Sequence, residues 1–307
     1  MGKEGAPATR KIDPGTATYS DGHPLDVVQY LEAKLILRPE PFTSVESFRE
    51  FGRLVGRAAD RVKKVEFAYD SKGARNTNVR EIVFFDTPDF RLYNNAFILR
   101  RRVCYVNGFA AGDPEIVFKF RHPDEQKAAA LDMRPKIPGK YRIKFKVEAL
   151  PLKDKLGGFR LLYSHNCVLG LDQVNLENRS APIGALTRVF PALGVLKNSD
   201  REEVCLVNEA IVEEVLLDLG TLDFGKGITA KSNVALWRTR GEHRPLVGEF
   251  AFQCKFARRE DVDEKPKRRC REFFVELQEC ARKWIALGAT KTGIVYRLSG
   301  NAPQSHE

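Results

Sequence analysis

Apolar and polar positions alternate along several stretches of this chain with a period of two, the pattern of a strand with one buried face. Residues 27–38 show it most cleanly: Leu31, Ala33, Leu35 and Leu37 fall on one face, and Tyr30, Glu32, Lys34 and Arg38 on the other. Alternation or short β-rich runs predict further strands near 64–70, 80–86, 96–106, 115–122, 141–149, 202–208, 211–219, 233–240 and 247–257. Two stretches carry the helical period instead. Phe48, Phe51, Val55, Ala58 and Val62 form a stripe over 44–62, with Thr43 and Glu46 spaced as a capping box. Cys270, Phe273, Phe274, Leu277, Cys280, Ala281, Trp284 and Ile285 form another over 267–287. The less regular region 150–200 holds one more predicted helix, 185–196. Residues 1–22 and 301–307 lack periodicity and read as flexible tails, which leaves 23–300 as a single domain.

The second face of these strands is charged rather than mixed. Arg100 and Arg102 alternate with Phe97, Leu99 and Val103, although Arg101 falls on the apolar face. Lys119 and Arg121 alternate with Ile116, Phe118 and Phe120. Arg142, Lys144, Lys146 and Glu148 alternate with Ile143, Phe145 and Val147. Glu249, Gln253 and Lys255 alternate with Phe250, Phe252, Cys254 and Phe256, and Arg238 shares a face with Arg240. A solvated face explains any one of these strands alone. Taken together they set like charges side by side, which is unfavourable. A sheet closed into a barrel would gather the charged faces around one lumen and turn the apolar faces outward, under the helices. That inner face carries Lys34, Arg100, Arg102, Lys119, Arg121, Arg142, Lys144, Lys146, Arg238, Arg240 and Lys255, against Glu32, Glu148 and Glu249.

Composition agrees on the sign. The 307 residues include 51 Lys plus Arg and 41 Asp plus Glu, a net charge of +10, which points to an anionic partner. Guanidinium forks and ammoniums suit phosphate oxygens. A few carboxylates among them suit Mg²⁺ or Mn²⁺. Such a site would clamp a triphosphate and polarise its terminal phosphorus for attack by water. Other chemistries recede. The five histidines (His23, His122, His165, His243 and His306) show no ligand spacing, and no Ser-His-Asp or Cys-His constellation is evident. Six scattered cysteines without a CxxC pair argue against structural zinc and for a reduced, cytoplasmic location. No apolar run reaches the roughly 18 residues of a membrane span, and the first residues hold no secretory apolar core. The basic run Lys267-Arg268-Arg269 with Arg271 reads as a solvated helix face, with RNA or an acidic partner as the other possibility.

Phe84-Phe85-Asp86-Thr87-Pro88-Asp89, followed by Leu92 and then Leu99-Arg100-Arg101-Arg102, resembles the signature of the CYTH superfamily, the triphosphate tunnel metalloenzymes. Glu32-Ala33-Lys34 is similar to the end of that family's first acidic strand, and Arg121-His122-Pro123 to a later basic strand. Glu249 to Lys255 is similar to its late acidic strand, and Thr290-Lys291 with Gly293 and Tyr296 to its closing element. The resemblance spans about 25–300. It implies an α+β fold: a closed, eight-stranded antiparallel β-barrel, or tunnel, with helices packed outside. It implies metal-dependent hydrolysis of a triphosphate, whether inorganic triphosphate, thiamine triphosphate, a nucleoside triphosphate or an RNA 5′ end; some members are adenylate cyclases. By that resemblance Glu32, Glu148 and Glu249 would hold Mg²⁺ or Mn²⁺, Glu32 and Lys34 would be catalytic, and Lys291 would join the basic strands in binding phosphate. Asp86, with Pro88, reads as a turn former.

The chain departs from the family pattern at telling places. Tyr30 stands at the first acidic position, Ala251 and Gln253 at two later ones, and Lys144 and Lys146 where an acidic cluster is expected. These departures set a second reading beside the first, a non-catalytic polyphosphate or nucleotide-binding protein.

Overall fold

The computed structural model describes residues 27–174, 176, 180–197, 202–300 and 303. The expected 1–22 tail, and 301–307 apart from residue 303, lie outside the described residues. Among those described, twelve strands form one sheet: β1 (Tyr30–Leu37), β2 (Glu66–Tyr69), β3 (Asn78–Asp86), β4 (Phe97–Val106), β5 (Phe109–His122), β6 (Tyr141–Pro151), β7 (Phe159–Gly170), β8 (Ser180–Pro182), β9 (Glu203–Leu206), β10 (Val212–Asp223), β11 (Thr229–Thr239) and β12 (Pro245–Lys255). Six α-helices accompany them: α1 (Val45–Asp60), α2 (Arg91–Asn94), α3 (Glu125–Ala129), α4 (Ile183–Val189), α5 (Glu264–Cys280) and α6 (Lys291–Tyr296).

Nine of the strands close on themselves in the order β10-β11-β12-β1-β6-β7-β5-β4-β3, with β3 returning to β10. An odd number of strands cannot alternate direction all the way round a ring, so one pair must run parallel. That pair is β1 with β6. The barrel and the α+β class are as expected, but the strand count is nine rather than eight and the sheet is mixed rather than wholly antiparallel. Much of the difference lies in β7, where the polar run Ser164-His165-Asn166 hides the alternation. The remaining three strands lie outside the ring. Strand β2 pairs with the far end of β10, and β9 and β8 extend from β3. Strand β10 serves β3 and β2 in turn because it bulges between Asp218 and Gly220.

The apolar strand faces point outward beneath the helices. Helices α1 and α5 cover one side, where Phe51 meets Phe250 at 5.4 Å and Phe273 meets Phe252 at 5.6 Å between ring centres. Helices α3 and α4 cover the other, with Phe190 against Phe118 at 4.4 Å. Helix boundaries shift from expectation for local reasons. The cap of α1 is Ser44, not Thr43: its N–H donates to Ser47 Oγ, and Ser47 Oγ donates to the Ser44 carbonyl. Helix α5 stops at Cys280 because the following segment pairs with β1, through Arg38 N–H to the Trp284 carbonyl and Ala286 N–H to the Ile36 carbonyl. The predicted 185–196 helix breaks at Phe190, since Pro191 disfavours a helical residue before it, and continues as a 3₁₀ turn over Pro191–Leu196.

One end of the barrel is filled. Ile36, Ile82, Phe84, Ile98, Val212, Trp237 and Val247 meet Tyr93 and Tyr296 in a hydrophobic plug. Beside it, Asp86 accepts hydrogen bonds from the backbone N–H groups of Thr87, Leu92 and Tyr93 and from the Tyr296 hydroxyl. Burial pushes its carboxyl up to about 7 against the pull of those donors. Asp86 is thus a structural tie between β3, α2 and α6, in keeping with the turn role read from the sequence. Replacing Asp86 with Ala leaves several buried donors unmatched, each costing about 1–3 kcal/mol. Urea denaturation of Asp86→Ala should show a loss of at least about 3 kcal/mol.

Candidate functional site

Alternation on closed strands sends every second side chain into the lumen, a cavity of about 230 Å³. Seven of the expected phosphate-binding residues line it: Lys34, Arg100, Arg102, Lys119, Arg121, Lys146 and Lys291. Three more stand toward the end opposite the plug. There Lys144 and Lys255 approach the Tyr30 ring at 5.0 and 5.9 Å, and exposed Arg142 pairs with Glu115 at 2.9 Å. Arg238 and Arg240 do not belong. Trp237 occupies the inward position on β11, so its neighbours point out, where Arg238 pairs with Glu213 and Arg240 with Glu81. Both faces of β11 carry apolar residues (Val234 and Leu236 outside, Ala235 and Trp237 inside), so its pattern does not distinguish the faces.

Two charged lumen residues are missing from the set expected on sequence grounds, Arg80 and Glu214. Arg80 is legible in principle, because it shares parity with the inward Ile82 and Phe84. Glu214 is not, because Glu213 beside it is equally acidic, and only the register with Trp237 places one of them inside.

Each acid in the lumen is engaged by cations. Glu148 is fully buried beneath the wall and holds Lys34 at 3.0 Å, Arg121 at 3.6 Å, Lys119, and the Ser164 hydroxyl at 2.7 Å. Burial opposes its charge, yet Lys119, Lys34 and Arg121 outweigh that and hold it well below the usual carboxylate range. Glu32 pairs with Lys34 at 3.0 Å and Lys146 at 3.5 Å. Against burial, Lys146 and then Lys34 bring it down to about 2. Glu214 accepts from Lys291 at 3.3 Å, Arg80 at 3.3 Å and the Trp237 indole at 2.8 Å, and also lies at about 2, with Lys291 and then Arg80 overcoming burial. Glu249 meets Lys291 at 2.7 Å. Gln253, standing where an acid was expected, accepts from Lys146 at 2.9 Å.

Eight cations and four carboxylates therefore share the site among the described residues, and Glu115 at its mouth pairs with Arg102, which leaves an excess of three positive charges. Arg100 is where the excess is felt. Its Nε is shielded from solvent with no hydrogen-bond partner, and Arg100 makes no ion pair among the described residues. Burial, and after it Arg102, push the guanidinium down to about 10, which still leaves it charged at neutral pH.

The carboxylates expected to hold Mg²⁺ or Mn²⁺ do not fit that task. A hard divalent ion needs several oxygens with charge to share. Glu32, Glu148 and Glu249 are each neutralised by ammonium or guanidinium groups. No three His, Cys, Asp or Glu side chains among the described residues form a group that could hold a metal ion. Glu32 at about 2 is also a poor general base at neutral pH.

Fold and site together define a closed β-barrel with a cationic, blind lumen. No family model matches the chain, and no curated protein does. Among solved structures it is similar to a protein from Hippeastrum proposed to be an adenylyl cyclase, with a dominant triphosphatase activity. That match has 16% identity and a TM-score of 0.42, covering 91% of this chain and 100% of the other. It is similar also to a proposed adenylate cyclase from Bacillus halodurans, at 12% identity and TM-score 0.40, over 86% of this chain and 95% of that one. A third, from Vibrio parahaemolyticus, gives 11% identity and TM-score 0.35, over 87% and 98%. Among the described residues no helix is long and apolar enough to cross a membrane.

The depressed acids make stability depend on pH with a definite sign. Glu32 and Glu214 bind protons more weakly folded than unfolded, so their contribution is complete above about 4.5 and is lost as pH falls toward about 2. Denaturation midpoints should fall across that window, and the fall should be shallower in Glu32→Gln.

Proposed function

We propose that the barrel binds a polyphosphate-bearing small molecule in its lumen, phosphate end first. The observation that carries the reading is Arg100, a half-buried charged guanidinium beside Arg102, whose Nε is shielded from water without a hydrogen-bond partner and which makes no ion pair among the described residues. Such a group is costly to enclose, and an anion that reaches it recovers that cost. Magnitude favours a chain of phosphates. One phosphate brings about two negative charges at most, short of the excess of three in the lumen. A di- or triphosphate brings more, and its oxygens suit the forks of Arg80, Arg100 and Arg102. The plug of Trp237, Phe84 and Tyr296 blocks one end, so the ligand enters past Tyr30. Lys144, Lys255 and Arg142 at that end attract it from solution.

Hydrolysis would need a water activated by a base or a metal. Glu32 is too weak a base, and the acids are committed to lysines and arginines. We therefore propose binding without turnover, the reading that the departures at Tyr30, Ala251 and Gln253 set beside hydrolysis.

Calorimetric titration with tripolyphosphate should give saturable binding. Arg100→Gln should weaken it about ten- to a hundredfold, the value of hydrogen bonds to a charged group. Arg238→Gln, on the outer face, should leave it unchanged. Absence of binding would sink the proposal. Phosphate release from tripolyphosphate, ATP or thiamine triphosphate with Mg²⁺ or Mn²⁺ would restore the hydrolase reading, and cyclic AMP formed from ATP the cyclase reading. Binding of long RNA with a steep salt slope, without affinity for tripolyphosphate, would point to an RNA surface instead.

A further inference from the structure

We infer that Lys34 and Lys291 are built-in counter-ions, each bridging two carboxylates, and that they make anion binding in the lumen independent of divalent metal. Lys34 Nζ lies 3.0 Å from Glu32 and 3.0 Å from Glu148. Lys291 Nζ lies 2.7 Å from Glu249 and 3.3 Å from Glu214. The two arrangements repeat one design: a pair of acids, from different strands, joined by an ammonium. A pair of close carboxylates repels itself and invites a cation. Here the cation is tethered to the chain, so it is always present at high effective concentration.

The two lysines are held differently, and the difference is testable. Lys291 opens α6, whose first turn is capped by Thr290 Oγ1 accepting from the Gly293 N–H at 3.1 Å. The Trp237 ring lies 4.5 Å from Lys291 Nζ, a cation–π contact, while the indole N–H donates to the same Glu214 oxygen that meets the ammonium. Glu249 has Lys291 as its close cation, and the second Glu214 oxygen faces Arg80. Removing the Lys291 ammonium therefore leaves Glu249 without its close cation and one oxygen of Glu214 with the Trp237 indole N–H alone. The Lys34 pair is reinforced. Glu148 also holds Lys119 and Arg121, and Glu32 also meets Lys146. Removing Lys34 leaves those cations in place. Lys291 thus decides whether the lumen is open to a divalent ion.

The inference shares its site with the proposed polyphosphate binding, but its central measurement needs no phosphate. The full chain is titrated with Mn²⁺ and free ion is followed by electron paramagnetic resonance. Wild type should show no saturable lumen binding. Lys291→Met should bind one ion per chain, Lys34→Met should not, and Lys291→Met combined with Glu214→Gln should lose the ion again. Saturable Mn²⁺ binding by wild type that Glu249→Gln abolishes would overturn the inference. So would a folded Lys291→Met, verified by circular dichroism, that binds no ion. If Lys291→Met does not fold, Lys291→Gln and the wild-type titration still decide. Tripolyphosphate affinity of wild type should be the same in EDTA and in Mg²⁺, and an affinity that requires Mg²⁺ also counts against the inference. If tripolyphosphate binds under neither condition, the functional proposal fails while the manganese result stands.

Discussion

Like charges enclosed in a closed barrel repel at short range and in a medium far less polar than water, and this repulsion is the constraint to which the rest of the molecule answers. Closing β10 onto β3 removes the sheet edges and points the basic positions of β1, β3, β4, β5 and β6 at one another. The barrel is tenable because acids are threaded among those cations. Glu148 is the clearest case. It is completely buried and meets four partners, and without it Lys34, Lys119 and Arg121 would confront each other directly. Removing one member of such a buried set is expected to be far more damaging than exchanging the whole set for apolar groups.

That structural employment changes what the acids can do chemically. A carboxylate already neutralised by two or three cations is a weak base and a poor ligand for a hard metal ion. Tyr30, Ala251 and Gln253, where acids were expected, work in the same direction. Tyr30 offers its ring face to the ammoniums of Lys144, Lys146 and Lys255, Gln253 accepts from Lys146 without adding charge, and Ala251 adds neither charge nor hydrogen bond. Among the described residues the lumen holds more cations than carboxylates and no surplus of negative charge. Part of the positive excess is felt at Arg100, whose guanidinium burial and then Arg102 push down to about 10.

Much of this architecture is legible in the amino-acid sequence. The alternation on β1, β4, β5, β6 and β12 identifies both faces correctly, because on those strands one face is largely apolar and the other charged. Legibility fails where the two faces are alike. On β11 apolar residues stand on both sides, so the pattern turns Arg238 and Arg240 inward although they point out. On β7 polar residues interrupt both faces, and the ninth barrel strand is hidden with them. Ion pairing is the least legible feature. Glu32, Glu148 and Glu249 are far apart in sequence from most of their partners, so nothing local distinguishes a metal ligand from an acid holding a lysine.

The most recognisable stretch of the chain lies at the closed end of the barrel. Phe84 to Asp89 does not line the charged part of the lumen. Phe84 enters the plug, and Asp86 fastens α2 and the Tyr296 hydroxyl at its margin. Tyr296 ends the short helix that Lys291 begins, and it stacks on Tyr93 at 4.3 Å. The motif therefore acts on the site at one remove, by fixing the helix that aims Lys291 between Glu214 and Glu249. Such a stretch constrains the barrel and its closed end without fixing the chemistry of the residues that face the lumen. The motif is thus evidence about how the barrel is closed, and the chemistry has to be argued from the charges inside it.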